Sequence, residues 1–74
     1  MVITVRLFAM FRKGRFDEKE LELPQGSSIA DLIEYLEIPE KAPKILLVNG
    51  LSASAGDKLS DGDVAVIFPM IAGG

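Results

Sequence analysis

Cysteine and histidine are both missing from these 74 residues. Without cysteine the chain can form no disulfide, offers no thiolate nucleophile and has no cysteine-based metal site. Without histidine it loses the usual general base near neutral pH. A Ser-His or Cys-His dyad is impossible. Any chemistry in which this protein takes part therefore draws its catalytic groups from another protein. The absence of cysteine fits a reducing compartment, and a cytoplasmic location is expected.

Long apolar runs are also missing. None approaches the roughly 20 residues that span a bilayer. The opening MVITVRLFAM has neither a basic leader region nor a small-residue cleavage site, so it reads as a strand and not as a signal peptide. Positive charge is in the minority, with 8 Lys and Arg against 11 Asp and Glu, a net charge of −3. Nucleic acid is not an expected partner, because binding a phosphate backbone needs a positive surface. A membrane is not expected either. The acidic balance is compatible with docking onto a basic protein surface.

What is present suffices for one small folded domain over residues 1–74. Hydrophobic residues make up 49% of the chain, enough for a packed core and too many for a disordered segment. A domain of this size buries only about 60% of the surface its unfolded chain exposes, so the core is thin. Val2 to Phe8 alternates, with Ile3, Val5 and Leu7 on one face, which predicts a strand. A turn at Lys13-Gly14 leads to a second strand, Phe16 to Leu23, with Leu21 and Leu23 inward and Lys19, Glu20 and Glu22 mostly outward. Pro24-Gln25-Gly26 ends this hairpin.

Ser28-Ile29-Ala30-Asp31 fits the S-x-x-[DE] start of a helix, in which Ser28 caps free N–H groups and Asp31 reaches back to the cap. Ile29, Leu32, Ile33 and Leu36 then follow the i, i+3, i+4, i+7 stripe of a helix with one buried face. Pro39 stops it, because the residue before a proline avoids helical backbone. Lys44 to Val48 reads as a strand buried on both sides. Asn49-Gly50 marks a tight turn, 51–60 is short and irregular, and Asp61-Gly62-Asp63 turns the chain into a last strand, Val64 to Phe68. That strand is apolar throughout and belongs in the middle of the sheet. Pro69 is expected to take the chain off it. The fold class is α+β, one helix on a mixed sheet of four to five strands.

Several polar groups invite a functional reading. Asp57, Asp61 and Asp63 supply oxygen ligands at close spacing, but the spacing is wrong for a calcium loop and turn chemistry accounts for them. Arg12, Lys13, Gly14 and Arg15 lack the spacing of a phosphate loop and read as a solvated hairpin loop. Glu34, Glu37 and Glu40 lie on or just past the polar helix face, with nothing to place them in a pocket, and read as solvated surface. No metal site is expected.

The second face of the sheet is different. Val2 and Phe8 lie opposite Ile3, Val5 and Leu7, and Leu46 and Ile67 or their neighbours must likewise face away from the core. One helix covers one face, so an apolar second face predicts either a partner surface or a cover supplied by the 51–60 segment. The tail FPMIAGG then runs from Phe68 to Gly74. Its six residues from Pro69 reach at most about 20 Å when extended. Gly73 and Gly74 have no Cβ, so they can pass a narrow channel and bring the terminal carboxylate close to an enzyme.

With these residues in hand, the chain resembles the MoaD/ThiS family of ubiquitin-like sulfur carriers. The resemblance runs through Val2 to Ala9, the capped helix with Ile29, Leu32 and Leu36, Val48-Asn49-Gly50, Leu59-Ser60-Asp61-Gly62-Asp63 and the Gly73-Gly74 end. It implies a β-grasp fold with a protruding tail over 68–74. It also implies a function in which an E1-like adenylyltransferase uses ATP to activate the Gly74 carboxylate. A persulfide donor then converts it to a thiocarboxylate. Gly74 would be the reacting group, and Phe68, Pro69, Met70, Ile71, Ala72 and Gly73 the stem that enters a partner. No cofactor is bound by the chain itself. Phe68-Pro69, with Leu7, Phe8, Ala9 and Arg12, resembles the small subunit of molybdopterin synthase, whose partner is the large subunit of that enzyme. Met70 stands where that branch often has a second proline. Ile71-Ala72-Gly73-Gly74 also resembles thiamine-pathway carriers, whose partner is thiazole synthase. Conjugation of Gly74 to lysines and a plain interaction module are the remaining alternatives.

Overall fold

Side-chain alternation sets the first strand. In the computed structural model, which describes residues 1–70, β1 spans Val2–Leu7 and sends Ile3, Val5 and Leu7 into the core. It ends earlier than Phe8 because the chain turns into a single 3₁₀ turn, Ala9–Phe11, which buries Phe11. Ala9 takes a φ of 51° to make that turn. β2 spans Glu18–Glu22 and pairs antiparallel with β1, with Leu21 and Leu23 buried as expected.

The helix α1, Ile29–Tyr35, has the predicted cap at one end and an unpredicted one at the other. At its start the Ser28 hydroxyl accepts the Asp31 N–H at 3.2 Å, and the Asp31 carboxylate accepts the Ser28 N–H at 2.9 Å. That second bond, then the Ser28 side chain and the charge of Lys58, hold the Asp31 carboxyl below its ordinary value. The other first-turn donors are met by the 51–60 segment: Ile29 N–H bonds the Asp57 carbonyl at 3.0 Å and Ala30 N–H the Ala55 carbonyl at 2.8 Å. At the far end Glu37 N–H bonds the Glu34 carbonyl and Ile38 N–H the Ile33 carbonyl, the paired bonds of a Schellman motif. Glu37 sits there at φ 58°, where glycine is usual. Ile38 is buried, completing the apolar contact of that motif.

Arg15 finishes this helix end. Its guanidinium donates to the carbonyls of Leu36 at 2.8 Å, Glu37 at 3.0 Å and Phe11 at 3.2 Å. The residue expected in a solvated loop thus ties that loop to the helix C-terminus.

β3 spans Lys44–Val48, β4 Leu51–Ser52 and β5 Val64–Pro69. Asn49 and Gly50, at φ 52° and 83°, make the two-residue hairpin turn between β3 and β4. Among the described residues the five strands form one sheet in the order β2-β1-β5-β3-β4. β1 and β5 run parallel and the other pairs antiparallel, so β5 is central, as its apolar sequence predicts. One helix on this mixed sheet is the β-grasp arrangement.

Two expectations are corrected, and a choice left open between Leu46 or Ile67 and their neighbours is decided for the neighbours. β3 is not buried on both sides: Leu46 and Val48 pack toward the core, while Ile45 is 43% exposed on the other face. Ile67 is fully buried in the core, so its neighbours Val66 and Phe68 face away instead. Pro69 does not take the chain off the sheet. It pairs with Lys44, and Met70 N–H still bonds the Pro43 carbonyl at 3.0 Å, so Phe68 and Pro69 belong to β5 and not to a protruding tail. Alternation places the Pro69 nitrogen on the β1 side, where β1 has already ended at Leu7, so its missing donor leaves no acceptor unpaired in the ladder.

Candidate functional site

The sheet register assembles the second face row by row. Arg6, Val66 and Leu47 lie side by side across β1, β5 and β3, and Phe68 lies opposite Ile45. Phe8, just past β1, stacks on Phe68 with ring centroids 4.5 Å apart and planes inclined by 21°. Arg6 extends over the Phe8 ring at 5.5 Å and pairs with Glu18 at 3.2 Å. The result is an apolar surface of Phe8, Ile45, Leu47, Val64, Val66 and Phe68 centred on β5.

The 51–60 segment does not cover it. Its bonds to the start of α1, the Leu59 N–H bond to the Ser27 carbonyl at 2.9 Å and the burial of Leu59 all hold it on the helix side. No described residue folds over the second face, which leaves it open to a partner.

Sequence reasoning turned Glu20 and Glu22 outward but missed Glu18 and the acidic margin that the three give this face. Glu18, Glu20 and Glu22 sit opposite Arg6, Thr4 and Val2 in the β1–β2 register, so all three share the second face. Alternation against Leu21 and Leu23 already turns Glu20 and Glu22 outward; the register adds Glu18 to them and corrects Lys19, which lies opposite Val5 on the helix side. An apolar patch with a row of carboxylates along one side suits a partner whose own patch carries a basic margin.

Each of the remaining candidates has a local use. The Asp57 carboxylate accepts the Ser54 N–H at 2.9 Å, and that of Asp61 accepts the Val2 N–H at 2.6 Å. Asp63 accepts from the Ser60 N–H at 2.8 Å and from the Asn49 side-chain amide at 2.9 Å. Asp57 and Asp63 fix turns, as expected, while Asp61 ties its turn to the start of β1 and Asp63 also ties it to the β3–β4 turn. Glu34, Glu37 and Glu40 are a correction of place. With Ile33, Ile38, Lys44 and Leu46 they border an open groove of about 510 Å³ between α1 and β3. The groove lies on the helix side, away from the apolar face, and its one amine, Lys44 Nζ, donates to the Glu40 carbonyl at 3.0 Å. Among the described residues no helix is long and apolar enough to cross a membrane.

Phe68, Pro69 and Met70 lead from the middle of the apolar face toward the last four residues. The expected roles of Ile71, Ala72, Gly73 and Gly74 fall outside the described residues.

The model of the ThiS family matches residues 5–74. The chain belongs to the ThiS family of ubiquitin-like sulfur carriers. A solved protein from Pyrococcus furiosus, designated subunit 1 of molybdopterin converting factor, is 33% identical over 96% of this chain and 99% of its own, with a TM-score of 0.79. Two further structures share the fold at lower identity. Small archaeal modifier protein 1 of Haloferax volcanii is 17% identical over 95% of this chain and 98% of its own, at a TM-score of 0.78. The complex of subunits 1 and 2 of molybdopterin-converting factor from Helicobacter pylori matches at 20% identity over the full length of both chains, at a TM-score of 0.68. The resemblance drawn from the sequence and the β-grasp fold agree with this family.

Proposed function

We propose that this ThiS-family chain is the sulfur-donating small subunit of molybdopterin synthase, with its chemistry at the Gly74 carboxylate. A free carboxylate is a poor electrophile. An E1-like adenylyltransferase would join it to the α-phosphorus of ATP with loss of pyrophosphate. The terminal sulfur of a persulfide would then displace AMP to form an acyl disulfide, and a thiol attacking the donor's sulfur would break that S–S bond, leaving a thiocarboxylate on Gly74 and a disulfide on the donor side. The large subunit would take that sulfur for a pterin precursor.

The observation that carries this reading is the position of β5. The strand that leads toward Gly74 runs through the centre of an uncovered apolar face, so docking on that face fixes where the tail begins. The lack of histidine and cysteine agrees with a carrier whose catalysis is external. The 33% identity to a molybdopterin converting factor subunit favours the molybdopterin branch over the thiamine one. The shared fold with a small archaeal modifier protein supports a second reading, conjugation of Gly74 to lysines.

The test is reconstitution with an E1-like enzyme, ATP and a persulfide donor, followed by tandem mass analysis of the C-terminal peptide. Sulfur in place of oxygen on Gly74 is expected, and its absence under conditions that charge another ThiS-family carrier contradicts the proposal. Sulfur delivery to the large subunit of molybdopterin synthase, and not to a thiazole synthase, would select the branch.

A further inference from the structure

Sulfur in this chain is confined to three thioethers, because there are three methionines and no cysteine. Met1 packs in part against the core, and its ammonium group donates to the Leu23 carbonyl at 2.9 Å. Met10 and Met70 are open to solvent, 63% and 50% exposed. Their settings differ. Met10 lies in the 3₁₀ turn after β1. Met70 is held by its N–H bond to the Pro43 carbonyl at the end of the sheet ladder, and it continues the alternation that puts Val66 and Phe68 on the apolar face. It is therefore the last described residue of that face, at the root of the tail.

We propose that Met70 is a reversible oxidation site that switches docking of the tail. The inference rests on the carrier reading, in which Met70 is part of the stem. The oxidant is hydrogen peroxide. The thioether sulfur attacks one peroxide oxygen, the O–O bond breaks, sulfur loses two electrons, and the second oxygen leaves as water. The product is methionine sulfoxide. A methionine sulfoxide reductase reverses the step with a dithiol, which is oxidised to a disulfide while the oxygen leaves as water. A thioether is soft and apolar and fills irregular contacts well. A sulfoxide is a strong dipole and acceptor, and burying it against an apolar partner without a donor is unfavourable.

The experiment uses the full chain, oxidised with hydrogen peroxide until peptide mass mapping shows Met70 converted, then freed of peroxide. Pyrophosphate release by the E1-like enzyme is measured before oxidation, after it, and after treatment with methionine sulfoxide reductase and dithiothreitol. Met10→Leu and Met70→Leu chains go through the same steps, each compared with its own unoxidised sample. Oxidation is expected to lower the rate about tenfold in the natural chain and in Met10→Leu, with recovery on reduction. In Met70→Leu the ratio is expected to stay near one. An unchanged rate in the natural chain with Met70 fully converted overturns the inference, as does equal peroxide sensitivity in Met70→Leu. If the unoxidised chain supports no pyrophosphate release with an enzyme active on another carrier, the carrier reading fails and takes this inference with it.

Discussion

Arg15→Ala tests how the hairpin loop and the helix are joined. The Arg15 guanidinium donates to three backbone carbonyls at 2.8, 3.0 and 3.2 Å, two of the bonds at the C-terminus of α1 and one in the 3₁₀ turn. A hydrogen bond with a charged donor contributes about 1.5–3 kcal/mol, and a cation at a helix C-terminus adds about 0.3–1 kcal/mol. Water can take over at the exposed Glu37 carbonyl, while the other two bonds are partly buried. A loss of about 2–3 kcal/mol is therefore expected. At about 4–8 °C per kcal/mol for a domain of this size, the melting temperature should fall by roughly 8–24 °C. Urea and thermal unfolding followed by far-UV circular dichroism measure both quantities. Arg15→Lys should recover less than half of the loss, because an ammonium group has no planar fork to span separate carbonyls. A loss below about 0.5 kcal/mol, or full rescue by lysine, would refute the capping argument.

Glu37→Gly should raise stability by about 0.5–1 kcal/mol in the same unfolding assay, since glycine relieves the φ of 58° at the helix stop. Asp31 gives a pH signature. Its folded carboxyl lies below its ordinary value of 3.8, so its contribution is complete above that value and is lost as pH falls through the lower folded value. Acid unfolding of Asp31→Asn should accordingly lack that part of the slope. Ile45→Lys places a charge on the exposed apolar face and should weaken binding to the large subunit of molybdopterin synthase about tenfold or more, with stability changed by less than about 1 kcal/mol. Calorimetric titration and thermal unfolding separate the two effects.

The parts of the fold that follow from local chemistry were legible in the sequence. Ser28 and Asp31 announce the helix start because a capping box involves residues only three apart. The uniformly apolar β5 predicts a central strand, and it has neighbours on both sides. What depends on pairing was not legible. Arg15 looks like any loop arginine until the fold brings Leu36 and Glu37 beside it. Pro69 reads as a stop, yet its missing N–H falls where β1 has already turned away. The apolar second face was anticipated from the single helix, but which residues line it depended on register. Leu46 and Ile67 went to the core, while Ile45, Val66 and Phe68 went to the second face. Glu20 and Glu22 were legible as outward from the alternation with Leu21 and Leu23, but their place beside Arg6 and Glu18 along the apolar face came from the β1–β2 register.

The central claim is that the working group of this protein is the Gly74 carboxylate. Deletion of Gly74, assayed as AMP release by an E1-like enzyme with ATP and a persulfide donor, tests it most directly. The account predicts that release is abolished while circular dichroism and melting temperature match those of the full chain. Normal AMP release from the shortened chain would contradict it.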